Sequence, residues 1–150
     1  MARSFNEIKG MFALEVAVRR IGEVPKKVVT KAARAGAKIA YKSAKANAPH
    51  KTFALRNGII MRVEKQKTVG KRVFDIKMAP KMDDIFVDIS RAGKRAYYPA
   101  SQEYGFLDRN GRKVPGKRYL KRAIDANKQA MENAVIEVAL KEIDKAWNAR

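Results

Sequence analysis

The 150-residue sequence contains no cysteine and only one histidine. The lack of cysteine excludes disulfides, thiolate metal ligands and a cysteine nucleophile, and it fits a reducing compartment. The single histidine, His50, excludes metal sites that need two histidine ligands. A serine–histidine pair remains as a nucleophile design, but the GxSxG turn that presents such a serine is missing. A solvent-facing loop histidine after Pro49 is the simpler interpretation.

A long apolar run is also missing from the sequence. No stretch reaches the roughly 18 consecutive apolar residues expected of a transmembrane helix. The first apolar segment is interrupted by Glu15, Arg19 and Arg20, and it has neither a signal-peptide core nor a small-residue cleavage site. We therefore expect a soluble chain made in the cytoplasm, without a membrane partner, and folded as one domain over residues 1–150.

Acidic residues are scarce, because 15 Asp and Glu stand against 34 Lys and Arg and leave a formal net charge of +19. Such a surplus favours an anionic partner, and nucleic acid is the commonest one. In a predicted helix from Pro25 to Ala48, six basic residues share about a third of the helix circumference. Two interpretations stay open, an anionic partner and a solvated helix face. The residues of this basic stripe are Lys27, Lys31, Arg34, Lys38, Lys42 and Lys45.

The spacing of apolar residues predicts an α+β fold. Long N-terminal helices come first, and residues 1–22 form a helix that begins at a Ser4–Glu7 capping box and is a candidate interface arm. A small, mainly antiparallel sheet of three or more strands follows, with a long C-terminal helix packed on it. In order, the predicted elements are helices over 4–22 and 25–48, strands over 59–66, 73–78 and 85–90, a helical turn over 99–105, a loop over 107–118 and a helix over 119–147.

The last predicted helix carries two adjacent apolar stripes, which form a band wider than a single sheet face covers. We therefore expect part of the band to contact another subunit. The first stripe contains Leu120, Ile124, Met131, Val135 and Val138. The second stripe, the candidate oligomer interface, contains Ile136, Leu140, Ile143 and Trp147.

Few residues suggest catalysis. Asp83 and Asp84 with Asp88 are a candidate ion site or, as the simpler interpretation, turn residues. No glycine-rich loop has the spacing of a phosphate-binding loop. We expect no enzymatic activity, catalytic residue, metal or cofactor.

Three stretches follow one another along the chain: "APHKTFALRNGI", "YYPASQEYGF" and "VPGKRYLKRAIDANKQAM". In this order and spacing they resemble the neck, or tail-completion, protein family that joins head to tail in long-tailed bacteriophages. The first stretch departs from the family pattern at Phe53, which replaces a glycine, and at Gly58, which replaces a serine. The third has Arg118 in place of the family's proline. The matching residues are Ala48, Pro49, Thr52, Leu55, Arg56, Ile59, Tyr98, Glu103, Tyr104, Gly105, Leu120 and Ala123.

The resemblance implies a structural virion protein, without enzymatic activity, that forms a homo-oligomeric ring in the viral neck after assembly in the host cytoplasm. Six copies are favoured, and twelve are the alternative. The implied partners are a head-closure or adaptor protein, a tail terminator or tail-tube protein, and genomic DNA that passes through the channel without sequence-specific contacts. Pro49, Leu55, Tyr104 and Gly105 take structural turn positions, in which Tyr104 packs and Gly105 permits a close backbone turn.

A basic nucleic-acid-binding protein outside a virion is the alternative function. It explains the net charge of +19. It does not explain the wide apolar band of the last helix, and no recognised DNA- or RNA-binding motif is present.

Overall fold

The computed structural model of the chain describes residues 11–49, 53–65, 71–91 and 93–148, with side chains from residue 27 onward. It has the predicted α+β fold, with two long helices and small antiparallel sheets of two strands each. The predicted capping box at Ser4 and Glu7, together with His50 and Thr52, lies outside the described residues.

A long helix comes first, strand pairs and short helices alternate in the middle of the chain, and two helices come last. A 3-10 turn at Pro80–Met82 precedes the third helix. The helices are α1 Met11–Asn47, α2 Ala54–Gly58, α3 Asp83–Phe86, α4 Tyr98–Tyr104, α5 Tyr119–Asp125 and α6 Lys128–Asn148, and the strands are β1 Ile59–Val63, β2 Phe74–Met78, β3 Val87–Ile89, β4 Arg95–Tyr97, β5 Gly105–Leu107 and β6 Lys113–Pro115.

Helix α1 is continuous over 37 residues, so the predicted break between Gly22 and Pro25 is wrong. Glycine and proline inside a helix cost about 1 and 3 kcal/mol relative to alanine. Strong helix formers lie on both sides, and each added residue gains a backbone hydrogen bond once the helix is nucleated. The helix ends at Asn47, just before Pro49, which has no amide hydrogen to donate.

The predicted sheet of three or more strands is instead three separate antiparallel pairs within the described ranges. The pair β1–β2 runs from Ile59 opposite Met78 to Val63 opposite Phe74. The predicted third strand fails to join this pair because its first residues form α3. Strand β3 is left with three residues, which pair with β4.

The start of α3 also changes which apolar residue is buried. Asp83 and Asp84 occupy the first turn of α3, where negative charge is favoured by the helix dipole. The helical turn directs Phe86 inward, where its ring meets Tyr97 edge-on at 6.3 Å between centroids. Ile85 and Ile89, which strand alternation places on the other face, are exposed.

A short hairpin occupies the region predicted as a loop over 107–118. Gly105 pairs with Pro115 and Leu107 with Lys113. The turn is held by the Asp108 carboxylate, which accepts the amide of Asn110 at 2.9 Å and that of Arg112 at 2.8 Å. Strands of three residues are too short to show alternation, so the turn residues alone were visible in the sequence.

The C-terminal helical segment is two helices, not the predicted single helix from Tyr119 to Trp147. The interruption lies at Asn127, whose side-chain amide donates to the Ala123 carbonyl and the Ser43 hydroxyl, both at 2.9 Å. Such local side-chain bonds compete with the helix ladder. Helix α1 is therefore the longest helix of the chain.

Helix α6 packs along α1 rather than on a sheet as predicted, and the pairs Asn127–Ser43 and Glu142–Lys31 show that the two helices are antiparallel. The helices come close at Gly36, where an added Cβ would lie 2.8 Å from Val135 Cγ2. The main core lies further along α1, where small side chains let α2, β1, α3 and α5 approach. It contains Ala44, Ala48, Leu55, Ile59, Phe86, Tyr119 and Ala123.

Candidate functional site: basic and apolar interaction surfaces

The basic stripe lies along the second half of α1. Its spacing keeps the six side chains on one side of the helix. Lys27, Lys31, Arg34, Lys38 and Lys42 are exposed, and Lys45 is half-buried.

Three of these six residues have partners inside the subunit. Lys31 forms an ion pair and hydrogen bond with Glu142 of α6, which holds the pKa of that carboxyl below its ordinary value of 4.5. The Arg34 guanidinium lies 5.9 Å from the centroid of the Phe74 ring, and the Lys45 ammonium lies 4.8 Å from that of Tyr41. Both distances are within the range of a cation–π contact. Lys31 and Arg34 therefore help to join α1 to α6 and β2, whereas the Lys45 contact lies within α1.

Lys27, Lys38 and Lys42 are the other half of the stripe. Among the residues with described side chains, none of the three forms an ion pair with an acidic group. Like charges on one helix face repel each other unless an anion lies nearby. These three lysines are therefore the part of the stripe available to phosphate or carboxylate groups of a partner.

An apolar face runs along α6 on the side away from α1. We use this name for Ile136, Leu140, Ile143 and Trp147, which are 57, 57, 46 and 75% exposed. The other predicted stripe turns towards α1, where Met131, Val135 and Val138 are half-buried. Ile124, which the sequence places in the same stripe, lies on α5 and is 50% exposed, so the two stripes do not divide cleanly between the inside and the outside of the subunit.

Carboxylates flank the apolar face. Glu132, Glu137 and Asp144 are exposed, and at 100° per residue they fall on either side of the four apolar side chains. In the described part of the chain, Glu142 is the α6 acid that forms ion pairs, with Lys31 and Lys145. The apolar face is thus an acidic-edged surface on a strongly basic chain.

An apolar groove of about 480 Å³ adjoins this face between α1, β2 and α6. Arg72 and Glu132 contribute its charged lining. Because Ile136 belongs both to the groove and to the apolar face, the two form one continuous surface. The apolar lining consists of Ala33, Gly36, Ala37, Phe74, Met131, Val135 and Ile136.

The predicted turn residues are distributed between the core and the surface. Pro49 and Leu55 are buried, and Gly105 has φ 92°. Tyr104 is 78% exposed, so the prediction that it packs is wrong. The reason is helical geometry, because α4 buries Glu103 and its neighbour lies about 100° further round the helix.

Glu103 matches the family pattern in the sequence, but its structural role was not predicted. Its buried carboxylate accepts the backbone amides of Leu120 at 2.9 Å and Lys121 at 3.1 Å, and so caps the start of α5. The hydroxyl of the adjacent, buried Tyr119 has a raised pKa, because of burial first and the Glu103 carboxylate second. The glutamate of the "YYPASQEYGF" stretch was the available signal.

The local geometry is described at all three residues that depart from the neck-family pattern. Phe53, where the family has glycine, adopts a left-handed conformation with φ 54°, which favours glycine. Gly58, where the family has serine, leaves room for Phe86, since an added Cβ would lie 2.6 Å from the ring atom Cζ. Arg118 has φ 50°, which proline cannot adopt, so the entry to α5 differs from the family pattern.

The three aspartates that the sequence offers as a candidate ion site do not form a metal-binding group. Asp83, Asp84 and Asp88 are exposed, and no group of three or more histidine, cysteine or acidic side chains suited to a metal was found over the described ranges. None of the helices that the structure describes has the length and apolar character needed to cross a membrane.

Comparison with known proteins gives no assignment. No protein-family model matches the chain, and neither a curated protein nor a solved structure matches it. We therefore infer function from the chemistry of the two surfaces. The basic stripe suits phosphate or carboxylate groups, and the apolar face suits another protein surface.

Proposed function

We propose that this chain is a structural subunit of the neck of a tailed bacteriophage, where it forms a ring that joins the head-closure ring to the tail. The observation that carries the proposal is the exposed apolar face of α6. Four large apolar side chains on one helix, each about half exposed or more, are unfavourable in water and mark a protein–protein contact.

The residues behind the family resemblance support a structural role. Leu55 and Ile59 lie in the core, and Glu103 caps α5. The left-handed backbone at Phe53 fits a position at which the family has glycine. None of these residues needs a catalytic role to account for its type, and the proposal assigns no enzymatic activity to the chain.

The basic stripe gives the ring a second contact surface. A conduit for DNA must let the duplex slide, so its contacts should be to phosphates, independent of base sequence and weakened by salt. Lys27, Lys38 and Lys42 are the residues proposed for this contact. An acidic surface on a head-closure or tail-tube protein is the alternative partner for the same three side chains.

The apolar face is tested with Ile136→Asp and Leu140→Asp. We expect the parent to form a ring with the mass of six or twelve copies of the 16.9 kDa chain, and each variant to stay smaller. Burial of an unpaired carboxylate at a subunit contact costs several kcal/mol, roughly 3–5. Native mass spectrometry gives the copy number, and negative-stain electron microscopy shows whether the assembly is a closed ring.

Ile85→Asp is the matched control, because Ile85 is 64% exposed and lies on α3, away from the apolar face. It should assemble like the parent. If Ile136→Asp and Leu140→Asp fold and still form the parent ring, the apolar face is not part of the subunit interface. A parent that is a monomer and binds free DNA in a salt-sensitive way would favour the nucleic-acid-binding alternative.

A further inference from the structure

Outside α6, exposed large apolar side chains cluster at two places in the part of the chain that the structure describes. Ile85 and Ile89, on α3 and β3, are 64 and 67% exposed. Tyr104, Phe106 and Leu107, at the end of α4 and on β5, are 78, 45 and 69% exposed. Each cluster is a candidate for the surface that covers the apolar face of α6 in an assembly.

Charge distinguishes the two clusters. Residues 83–95 carry three acidic and three basic side chains, so the surroundings of Ile85 have no surplus of either sign. Residues 104–117 carry four basic side chains against Asp108 alone, and the Asp108 carboxylate already accepts two backbone amides of its turn. The β5–β6 hairpin is therefore an apolar surface with a basic border, whereas the apolar face of α6 has an acidic one. The four basic residues, all exposed, are Arg109, Arg112, Lys113 and Lys117.

The end of the β5–β6 hairpin is open to solvent. Within the subunit, β5 packs against α4. Phe106 and Leu107 point to opposite sides of the two-stranded ribbon, and Leu107 is the more exposed of the two. Arg109 and Arg112 lie in the turn that follows, and neither forms an ion pair with another described residue. A large apolar side chain and two unpaired guanidinium groups thus lie together at one end of the hairpin.

The acidic border disfavours the pairing of two α6 helices through their apolar faces. Glu132, Glu137 and Asp144 flank the face, and a second α6 would bring the same carboxylates against them. Lys141 and Lys145 lie further round the helix from the centre of the face, at 100° per residue. Like charges opposed at an interface weaken it, whereas the hairpin brings the opposite charge.

We infer that the β5–β6 hairpin of one copy docks on the apolar face of α6 in a second copy, with Leu107 against the apolar side chains and Arg109 and Arg112 at the acidic border. The inference rests on the proposed function in one respect, namely that the occupant of the face is another copy of the chain. Since the hairpin and the face are different surfaces, the contact is head-to-tail. Contacts of this kind close into rings when the rotation between neighbours fits.

The contact is tested by exchanging the charges on its two sides in the full-length chain. One variant combines Arg109→Glu with Arg112→Glu, a second combines Glu137→Lys with Asp144→Lys, and a third carries all four changes. Each of the first two brings like charges together, so its ring should assemble about tenfold or more weakly than the parent ring. The third restores opposite charges and should recover the ring. Mass photometry over a range of protein concentrations measures the assembly, after circular dichroism has shown that each variant is folded.

Arg91→Glu combined with Arg95→Glu is the matched control, since it makes the same charge change at exposed arginines near the β3–β4 hairpin. It should assemble like the parent. If the variant at Arg109 and Arg112 folds and forms the parent ring, the inference is overturned and the proposed ring stays intact. A fourfold variant that assembles no better than the two double variants would overturn it as well. A parent chain that stays monomeric would overturn both proposals.

Cross-linking gives a second measurement that needs no charge change. Because the sequence has no cysteine, Leu107→Cys combined with Leu140→Cys places one thiol on the hairpin and one on the apolar face. Docked thiols meet at millimolar effective concentration, so a short bis-maleimide should give a ladder of covalent multimers up to the full ring. Each single-cysteine variant should give no ladder. Dimers from Leu140→Cys alone would show two α6 faces in contact and overturn the inference.

Discussion

The carboxylate of Glu103 accepts a hydrogen bond from the backbone amide of Leu120 at 2.9 Å, across 17 residues of sequence. The same carboxylate accepts the amide of Lys121 at 3.1 Å. Two donors at the start of α5 that have no partner within the helix are thereby satisfied from α4. The contact ties the α4 turn and the β5–β6 hairpin to the helix that carries Tyr119 and Ala123 into the core.

Glu103→Ala should lower stability substantially. It leaves two part-buried amide donors without a protein acceptor, which costs about 2–3 kcal/mol. For a chain of this size, that loss lowers the melting temperature by about 4–10 °C. Glu103→Gln keeps one acceptor oxygen and should fall between alanine and the parent. Thermal unfolding followed by circular dichroism measures the effect, with the exposed Glu137→Ala as control. Equal melting of Glu103→Ala and the parent would show that the cap contributes nothing.

Gly105→Ala should destabilise the chain more than Gly93→Ala. Both glycines have positive φ, 92° and 73°, so alanine is strained at either position. A Cβ at Gly105 would also collide with the Val114 carbonyl oxygen and lie 2.8 Å from the Gly116 nitrogen, whereas one at Gly93 would meet nothing within 4 Å. We expect about 1 kcal/mol for Gly93→Ala and at least about 2–3 kcal/mol for Gly105→Ala. Urea unfolding measures the free energy of unfolding of both variants. Similar decreases in the two variants would mean that the β5–β6 hairpin shifts to make room for the added Cβ.

The sequence predicts the fold well where one apolar pattern determines one element. Strands β1 and β2 lie within the predicted ranges, and Leu55 and Ile59 enter the core. The pattern fails where two local preferences compete. The run from Ile85 to Ile89 alternates like a strand, but the two aspartates before it favour a helix start, and Phe86 is buried instead.

The contact surfaces could be predicted only in part, because spacing places a residue on a helix face without showing what lies opposite. The six residues of the basic stripe were found by spacing alone. That Lys31 meets Glu142, or that Arg34 meets the Phe74 ring, depends on how α6 and β2 pack against α1. The role of Glu103 could not be predicted for the same reason, since its partners lie 17 and 18 residues further along the chain.

The Lys31–Glu142 pair should make stability depend on pH in the acidic range. The hydrogen bond from Lys31 is the largest cause of the lowered pKa of Glu142 in the folded chain. Because the folded pKa lies below the ordinary value of 4.5, the stabilisation is present above pH 4.5 and is lost as the pH falls through the folded pKa. Lys31→Gln should therefore melt slightly below the parent at pH 7, and the difference should disappear at low pH.

Lys141→Gln is the control for this pair, because it removes the same charge from an exposed position on α6. Its melting temperature should follow that of the parent from pH 7 to pH 3. The difference in melting temperature between Lys31→Gln and the parent could also stay constant from pH 7 to pH 3. That result would show that the effect of Lys31→Gln does not depend on the ionised Glu142.

The last prediction concerns the basic stripe and uses Lys27, Lys38 and Lys42 changed together to Gln. Lys31 and Arg34 are left in place because they contact Glu142 and Phe74, so their loss would disturb packing. The triple variant should fold and assemble like the parent. If the stripe faces DNA, each lost phosphate contact reduces the slope of log K against log salt by about 0.9, so the triple change reduces it by up to about 2–3.

The control variant removes the same total charge from three exposed lysines outside the stripe, by changing Lys94, Lys113 and Lys117 to Gln. Fluorescence anisotropy with short duplexes of unrelated sequence, titrated with salt, compares the assembled proteins. Equal decreases in DNA affinity and salt dependence in both triple variants would indicate that binding responds to net charge alone. Unchanged DNA binding in the stripe variant would mean that these lysines face an acidic protein neighbour or solvent.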